Sequence, residues 1–204
     1  MKTENSDLER KILEVAQETF IEKGYVETSM SEIAARVGIN RPALHYYFRT
    51  KDKMFQAVFG RIILSIAPKV FDILYQSETP VAQRVEKIVD VYYSLLLEYP
   101  RLPIFILKEI NRDASLLIAT VQELKLEERL KTIFASLQKE MDAGRIKPMP
   151  FRFLFFNLYG LLIMPFLTRE ISFVYLDENE SFENMLALWR PYIISQMCNL
   201  LEVK

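Results

Sequence analysis

The polar side chains between residues 40 and 51 are of the types that bind nucleic acid. Arg41 could donate two hydrogen bonds to O6 and N7 of a guanine or contact only a phosphate, and the residues leave both roles open. Lys51 stands at the start of a predicted helix, where the helix dipole disfavours a cation unless an anion such as a phosphate lies nearby. His45, the only histidine, ionises near physiological pH, so it could read a base, touch a phosphate or do neither.

These side chains need a helix to hold them, and the sequence predicts two short helices separated by Gly38. Apolar residues recur at spacings of three and four between Met30 and Val37, which places them on one face of the first helix. Ser29 and Glu32 form a capping box at its start. Gly38 supplies a left-handed turn. This spacing is typical of a helix-turn-helix, which places its second helix in the DNA major groove.

The second helix is predicted to begin after Asn40, a good N-cap residue, with Pro42 in its first turn, where no backbone N–H is needed. Leu44 and Phe48 share the buried side, whereas Tyr46 and its neighbour point away from it. A short helix with a small buried side and an exposed side rich in hydrogen-bonding groups is suited to reading DNA.

The candidate DNA-binding residues lie on the second helix and at the helix starts around it. They are Thr28, Ser29, Asn40, Arg41, Ala43, His45, Tyr46, Tyr47 and Lys51. N-terminal hydroxyls and amides of such helices bind phosphate, although Thr28 and Ser29 could instead act only as caps. For Tyr47, partial packing in the core is the alternative.

Positive charge is concentrated on the same segment, although the formal net charge of the chain is −1. Residues 36–53 contain five basic residues and one acidic residue, whereas residues 1–35 contain four basic and eight acidic residues. A basic stretch in this place would lie where DNA phosphates lie. Without the helix-turn-helix pattern, an ordinary solvated basic segment would be the simpler explanation.

These residues resemble the N-terminal pattern of the tetracycline-repressor (TetR) family of bacterial transcription regulators. That pattern is a helix ending in Phe-x-x-x-Gly-Tyr, then Thr-Ser-x-x-x-Ile-Ala, Gly-Val-Ser, and Leu-Tyr-x-Tyr/His-Phe-x-x-Lys. The matching residues are Phe20 to Tyr25, Thr28-Ser29 with Ile33-Ala34, Gly38-Ile39-Asn40, and Leu44 to Phe48 with Lys51. The resemblance covers about residues 8–59. Asn40 replaces the usual Ser and His45 the usual Tyr.

Composition and periodicity predict an all-α fold of about nine helices. The 14 Phe, 10 Tyr and only 5 Gly favour long helices over a turn-rich β architecture. Periodicity predicts one long helix from about Ser115 to Asp142 and a helix from Lys51 that Pro68 should kink or interrupt. The last two helices should span about residues 151–170 and 182–202, the second following a polar loop at residues 177–181. No strand pattern is longer than residues 173–175.

The resemblance implies two domains. Residues 1–50 would form a three-helix DNA-binding domain with the helix-turn-helix, linked by a helix to residues 51–204, a larger helical domain for effector binding and dimerisation. The family also implies a pocket in the second domain for a small, often apolar molecule that weakens DNA affinity. Candidate pocket residues are Phe71, Tyr75, Tyr92, Tyr93, Phe105, Phe134, Phe155 and Tyr159. For each of these aromatic residues, ordinary core packing is the alternative. No buried charge constellation is legible, which favours an uncharged or mostly apolar ligand.

The last two predicted helices are apolar nearly all round, so they must be covered on several sides. A four-helix bundle with two helices from each chain would cover them with two-fold symmetry, and the resemblance implies the same homodimer. The candidate interface residues are Phe153, Phe156, Leu161, Met185, Trp189, Tyr192, Ile193 and Met197. A core within one chain is the alternative.

Catalysis finds little support in the sequence. The single His45 and single Cys198 lie far apart, so they form no plausible dyad or metal cluster. There is no Walker-type loop and no G-x-G-x-x-G. We therefore expect no enzyme activity, no cofactor and no metal site.

The lone Cys198 excludes an intramolecular disulfide and suits a reducing cytosol. The charged N-terminus has no signal-peptide pattern. The longest uncharged run has 16 residues, from Phe153 to Thr168, fewer than the roughly 20 that a membrane span needs. We expect a cytoplasmic protein without a membrane partner.

Two functions remain open. The first is a ligand-responsive repressor that binds a palindromic DNA operator as a dimer. The second is a DNA-binding protein of the same fold without a small-molecule effector, acting through a protein partner. A cavity of several hundred Å³ in the second domain would favour the first, and a tightly filled domain the second.

Overall fold

The computed structural model describes residues 2–175 and 181–202 and confirms the all-α fold class. These residues form ten helices and no strand. The helices are α1 (Lys2–Glu27), α2 (Met30–Val37), α3 (Arg41–Tyr47), α4 (Lys51–Leu74), α5 (Val81–Glu98), α6 (Leu102–Glu123), α7 (Glu127–Asp142), α8 (Phe151–Leu167), α9 (Arg169–Tyr175) and α10 (Phe182–Leu201). Most of the predicted polar loop, residues 177–180, lies outside the described residues.

The prediction of one long helix over residues 115–142 is wrong. Lys125 has a positive φ of 52°, a left-handed conformation that a helix cannot continue through, so α6 ends at Glu123 and α7 begins at Glu127. At its other end α6 begins at Leu102 and passes a non-helical residue, Asp113, with φ −161° and ψ 86°. By contrast, α4 continues through Pro68 rather than stopping there.

The chain divides into two compact units. Unit 1 contains Met1–Ser65 and Ile104–Leu126, and unit 2 contains Ile66–Pro103 and Glu127–Lys204. Unit 1 is therefore larger than the predicted domain of residues 1–50, because it includes the first part of α4 and most of α6. Both α4 and α6 have residues in each unit.

The core of unit 1 holds α2 and α3 against their neighbours. Ile33 of α2 and Leu44 of α3 are fully buried, as are Phe20 of α1 and Phe55 of α4. The rings of Phe20 and Phe55 meet edge to face with centroids 5.3 Å apart, a geometry that aromatic pairs favour. Burying side chains of this size stabilises a fold by about 1.5–3 kcal/mol each, so the short helices are held by packing more than by their own propensity.

The core of unit 2 is built from α5, α8 and α10. Val89, Leu162, Leu186 and Ile193 lie at its centre. Their helices follow the apolar periodicity of the sequence, which brings one side of each helix together.

Candidate nucleic-acid interface

Local signals in the sequence fix the turn between α2 and α3. The hydroxyl of Ser29 accepts a hydrogen bond of 3.1 Å from the backbone N–H of Glu32, which caps α2. Gly38 ends α2 in a left-handed conformation, φ 85°, and its N–H donates back to Ala34 O at 3.1 Å. Asn40 then caps α3, because its Oδ1 accepts from the N–H of Ala43 at 2.8 Å.

The side of α3 opposite its buried Leu44 is exposed. Arg41, His45 and Tyr46 are all exposed, and Tyr46 is 78% accessible. Tyr47 is half-buried, and its ring meets that of Tyr46 edge to face at 5.4 Å. The helix therefore presents a cation, an imidazole and a phenol on one surface, groups that hydrogen-bond to base edges and phosphates.

The two hydroxyl residues before α2 are placed differently. Thr28 is 2% exposed, and its hydroxyl donates to Gly24 O at 2.8 Å. Its side chain therefore closes the turn after α1 and does not reach the surface. Ser29 is exposed, at the N-terminus of α2, where free backbone N–H groups attract anions.

Lys51 begins α4 and carries its charge against Tyr25. Its Nζ donates to Val26 O at 3.2 Å and lies 4.3 Å from the centre of the Tyr25 ring. Burial and then the nearby Arg112 lower the pKa of the Lys51 ammonium. Because these surroundings penalise the cation, a DNA phosphate placed there would relieve the penalty.

The basic residues of 36–53 differ in whether they are already paired. Arg36 forms ion pairs with Glu22 at 3.0 Å and Glu32 at 3.2 Å, and Lys53 lies 3.5 Å from a carboxylate oxygen of Glu123. Arg41 and Arg49 form no ion pair with the described residues. The side chain of Arg41 is therefore available to DNA.

Residues 12–58, which contain α2, α3 and their turn, match the family described as bacterial regulatory proteins, tetR family. The chain belongs to the TetR family. The match falls on the segment whose caps and left-handed turn the structure shows, so geometry and sequence agree on the same residues.

Curated relatives match the same end of the chain. The HTH-type transcriptional activator FasR of Mycolicibacterium smegmatis is 29% identical over 85 residues, which are 42% of this chain and 38% of FasR. The HTH-type transcriptional repressor BepR of Brucella suis is 33% identical over 60 residues, 29% of each chain. The matched region thus spans about a third of the length of these two relatives.

A solved structure extends the likeness to the whole fold. A TetR family transcription regulator from Marinobacter aquaeolei VT8 superimposes with a TM-score of 0.69 over 100% of both chains at 15% identity. At this identity the likeness concerns the fold alone, including the helices of unit 2.

Unit 2 of this TetR-family chain contains a cavity of about 560 Å³. Among the predicted pocket residues, Phe71, Tyr92, Phe134, Phe155 and Tyr159 line it. The volume falls within the range of small-molecule sites.

Three predicted pocket residues do not line this cavity. Tyr75 is partly exposed and donates its hydroxyl to Arg129 O at 3.3 Å. Tyr93 is buried and donates to Leu186 O at 3.3 Å. Phe105 belongs to unit 1, where it packs beside Phe55. Sequence periodicity identifies such residues as buried but not what they face.

Sequence reasoning missed two charged residues of the cavity lining, Arg84 and Arg152. Arg84 forms a buried ion pair with Glu140, whereas Arg152 is exposed. The position of Arg84 between Val81 and Ile88 on the apolar side of α5 was the available signal. Within the described residues, no cluster of His, Cys, Asp and Glu could hold a metal ion.

The helices α8 and α10 each expose an apolar stripe. Phe153, Phe156 and Met164 are exposed on α8, and Leu188 and Tyr192 on α10. Among the other predicted interface residues, Leu161, Met185 and Trp189 are half-buried, whereas Ile193 and Met197 are buried in the core of their own chain. In the described part of the chain, no helix combines the length and apolarity that a membrane crossing requires.

Proposed function

We propose that this protein is a transcriptional repressor that binds a palindromic DNA operator as a homodimer and is released from it by a small ligand. The observation that carries the proposal is the exposed polar side of α3, with Arg41, His45 and Tyr46, held in place by the capped turn after α2. Because base edges are read in the major groove, a short helix with these groups exposed is suited to specific recognition.

The exposed apolar stripes of α8 and α10 support the homodimer. Large apolar side chains are rarely grouped on a free surface unless a partner covers them. A two-fold axis through these helices would bury the stripe of one chain on the stripe of another. The dimer would then carry two copies of α3, which matches a palindromic operator with half-sites about 34–36 Å apart.

The cavity of unit 2 supports release by a ligand. A ligand that prefers one arrangement of unit 2 would act on the DNA-binding residues through α4 and α6, because both helices contain residues of both units. A change of a few Å in the spacing of the two reading helices would prevent both from contacting their half-sites. The coupling cannot exceed the preference of the ligand for the non-binding state, typically about 1–3 kcal/mol.

The same cavity separates this proposal from the effector-free alternative. A protein that acts only through a protein partner needs no internal space, whereas a cavity of about 560 Å³ is a cost in lost packing. Among the relatives, FasR is called an activator and BepR a repressor. The direction of regulation is therefore a part of the proposal that needs its own measurement.

The first experiment selects bound sequences from a randomised DNA library with the full-length protein. We expect a palindrome whose half-sites are one helical turn apart, bound with at least a thousandfold preference over random DNA. Transcription in vitro from a promoter that overlaps the selected sequence should fall when the protein is added. Increased transcription would contradict repression, and enrichment of no common sequence would contradict operator recognition.

A second experiment tests release. Ligands found by thermal shift are titrated into the protein–operator complex, and operator affinity is measured by fluorescence anisotropy. A true effector must lower operator affinity, and operator must lower the affinity for that effector by the same factor. If tightly bound ligands leave operator affinity unchanged, the effector-free alternative is favoured.

A further inference from the structure

The cavity of unit 2 is bordered by a buried ion pair that leaves one donor free. Arg84 donates from Nη1 to Oε1 of Glu140 at 3.0 Å and from Nη2 to Oε2 at 2.5 Å. The two side chains are only 4% and 1% exposed. The Nε–H of Arg84 has no hydrogen-bond partner. Arg84 lines the cavity, so the protein has a neutral pair with one unsatisfied donor beside an apolar space.

An unsatisfied buried donor is expensive, and a donor on an ionised group more so. An oxygen with a free lone pair, placed in the cavity within reach of this N–H, would remove the penalty. The rest of the lining is almost entirely aliphatic or aromatic. The matching occupant therefore has an apolar body and an acceptor oxygen.

A second polar point lies further along the same side of α5. Arg84, Ile88 and Tyr92 are four residues apart in turn and all line the cavity, so Tyr92 is about 12 Å along the helix from Arg84. The hydroxyls of Tyr92 and Tyr159 are hydrogen-bonded to each other. Burial raises the pKa of both phenols, which keeps them neutral. Two hydroxyls that share one hydrogen bond have one O–H left to donate.

The ion pair also argues against an anionic occupant. Glu140 already neutralises Arg84, so a carboxylate in the cavity would add an uncompensated negative charge beside that of Glu140. Desolvating such a charge is costly, and like charges at close range raise the cost. The other cation of the lining, Arg152, is exposed, where water screens its attraction.

We propose that the effector is an uncharged, mostly apolar molecule, such as an ester or ketone, whose carbonyl oxygen accepts a hydrogen bond from Nε of Arg84. This inference rests on the proposed function, because it names the class of ligand for that cavity. Glu140 is then a specificity-determining residue that excludes carboxylates.

The test uses three probes that share one apolar body. They are methyl 4-butylbenzoate, ionised 4-butylbenzoate at pH 8, and 4-butyltoluene. Each is titrated against N-phenyl-1-naphthylamine, an uncharged fluorophore, bound to the full-length protein. The ester should bind about tenfold more tightly than the hydrocarbon, since one charge-assisted hydrogen bond contributes at least about 1.4 kcal/mol. The carboxylate should bind most weakly of the three.

Variants of the ion pair assign the effect to its two residues. Arg84→Lys keeps a cation for Glu140 but has no Nε, so the ester should lose about tenfold and the hydrocarbon should be unchanged. Glu140→Gln leaves Arg84 without its anion, so the carboxylate should now bind more tightly than the ester. If either variant fails to unfold cooperatively, the double variant Arg84→Met/Glu140→Leu replaces the pair by apolar groups, a change that folds often tolerate. It should bind ester and hydrocarbon equally.

Several outcomes would overturn the proposal. These are tighter binding of the carboxylate than of the ester by the unmodified protein, equal losses of ester and hydrocarbon in Arg84→Lys, and no binding of any probe. A carboxylate that binds tightly and is lost only in Arg152→Ala would assign the polar group to that exposed arginine instead. Operator affinity is measured separately with saturating ester. An ester that binds through Arg84 but leaves operator affinity unchanged contradicts release by this ligand, while the ligand class stands.

Discussion

The backbone N–H of Tyr25 donates a hydrogen bond of 2.9 Å to Oε1 of Glu109, across 84 residues of sequence. The second carboxylate oxygen, Oε2, accepts from Nε of Arg112 at 2.6 Å. The guanidinium of Arg112 in turn lies 4.0 Å from the centre of the Tyr25 ring. Glu109 is 2% exposed. A buried carboxylate of α6 thus holds the chain just after the left-handed Gly24, where α1 leads into α2.

Replacing Glu109 should destabilise unit 1. Glu109→Ala leaves the N–H of Tyr25 and the guanidinium of Arg112 without their acceptor, and breaking a buried pair of this kind costs about 3 kcal/mol. Glu109→Gln is the matched control, because its amide oxygen can still accept from Tyr25, so the loss should be smaller. Unfolding in urea measures both. Equal stability of Glu109→Ala and the unmodified protein would show that the hydrogen bond contributes nothing.

The turn between α2 and α3 could be predicted because its signals are local. Ser29, Gly38 and Asn40 each act within four residues of their own position, and the structure shows each in the predicted role. The break at Lys125 could not be predicted, since the apolar spacing continues across it and a lysine gives no sign of a left-handed conformation.

Long-range relationships are where sequence reasoning fails. The partners Arg84 and Glu140 are 56 residues apart, and charged residues on amphipathic helices are normally solvated. In the same way, periodicity identifies Ile193 and Met197 as buried but does not say whether their own chain or a second copy covers them. The structure places both in the core of unit 2.

The alkaline stability of the protein should depend on Tyr25. Its hydroxyl donates to Asp52; burial first, then this hydrogen bond, raises its pKa from 10.0 to about 12. Because the folded state favours the neutral phenol, its contribution to stability is complete below pH 10 and is lost as pH rises through 12. Tyr25→Phe should therefore flatten the fall in unfolding free energy between pH 10 and 12.

Urea unfolding at pH 8, 10 and 11.5 measures this dependence. Tyr46→Phe serves as the control, since its ring is largely exposed, and it should follow the unmodified protein at all three values. Tyr93, whose pKa burial also raises to about 12, is retained in both variants, so only a partial flattening is expected. Parallel curves for Tyr25→Phe and Tyr46→Phe would rule out the role of Tyr25.

Substitutions of Arg41 should separate base reading from phosphate contact. If Arg41 reads a guanine, Arg41→Ala costs about 1–3 kcal/mol of operator affinity and relaxes the preference at one base pair in each half-site. Arg41→Lys keeps the charge but cannot form the two-pronged contact, so it should restore affinity without restoring the preference. Anisotropy with single-base-pair operator variants measures both. Equal losses on operator and random DNA would leave Arg41 only a phosphate contact.

Lys51 should contribute affinity without specificity. Lys51→Ala removes one cation at a phosphate, so it should weaken operator and random DNA alike and reduce the slope of log affinity against log salt by about 0.9 per contact, twice this for a dimer. Arg145→Ala, an exposed cation after α7, is the control and should leave the slope unchanged. An unchanged slope in Lys51→Ala would place its ammonium away from the phosphates.

The exposed stripes of α8 and α10 should decide the oligomeric state. Phe156→Glu and Leu188→Glu change side chains that are 62% and 63% exposed in the single chain, so the fold of one chain should tolerate them. At a dimer interface the buried carboxylate would cost several kcal/mol. We expect monomers by sedimentation velocity and loss of operator binding, because one half-site alone binds weakly. Leu97→Glu, a half-exposed residue of α5, is the control and should remain dimeric. If both stripe variants stay dimeric and bind operator, the two chains meet through another surface.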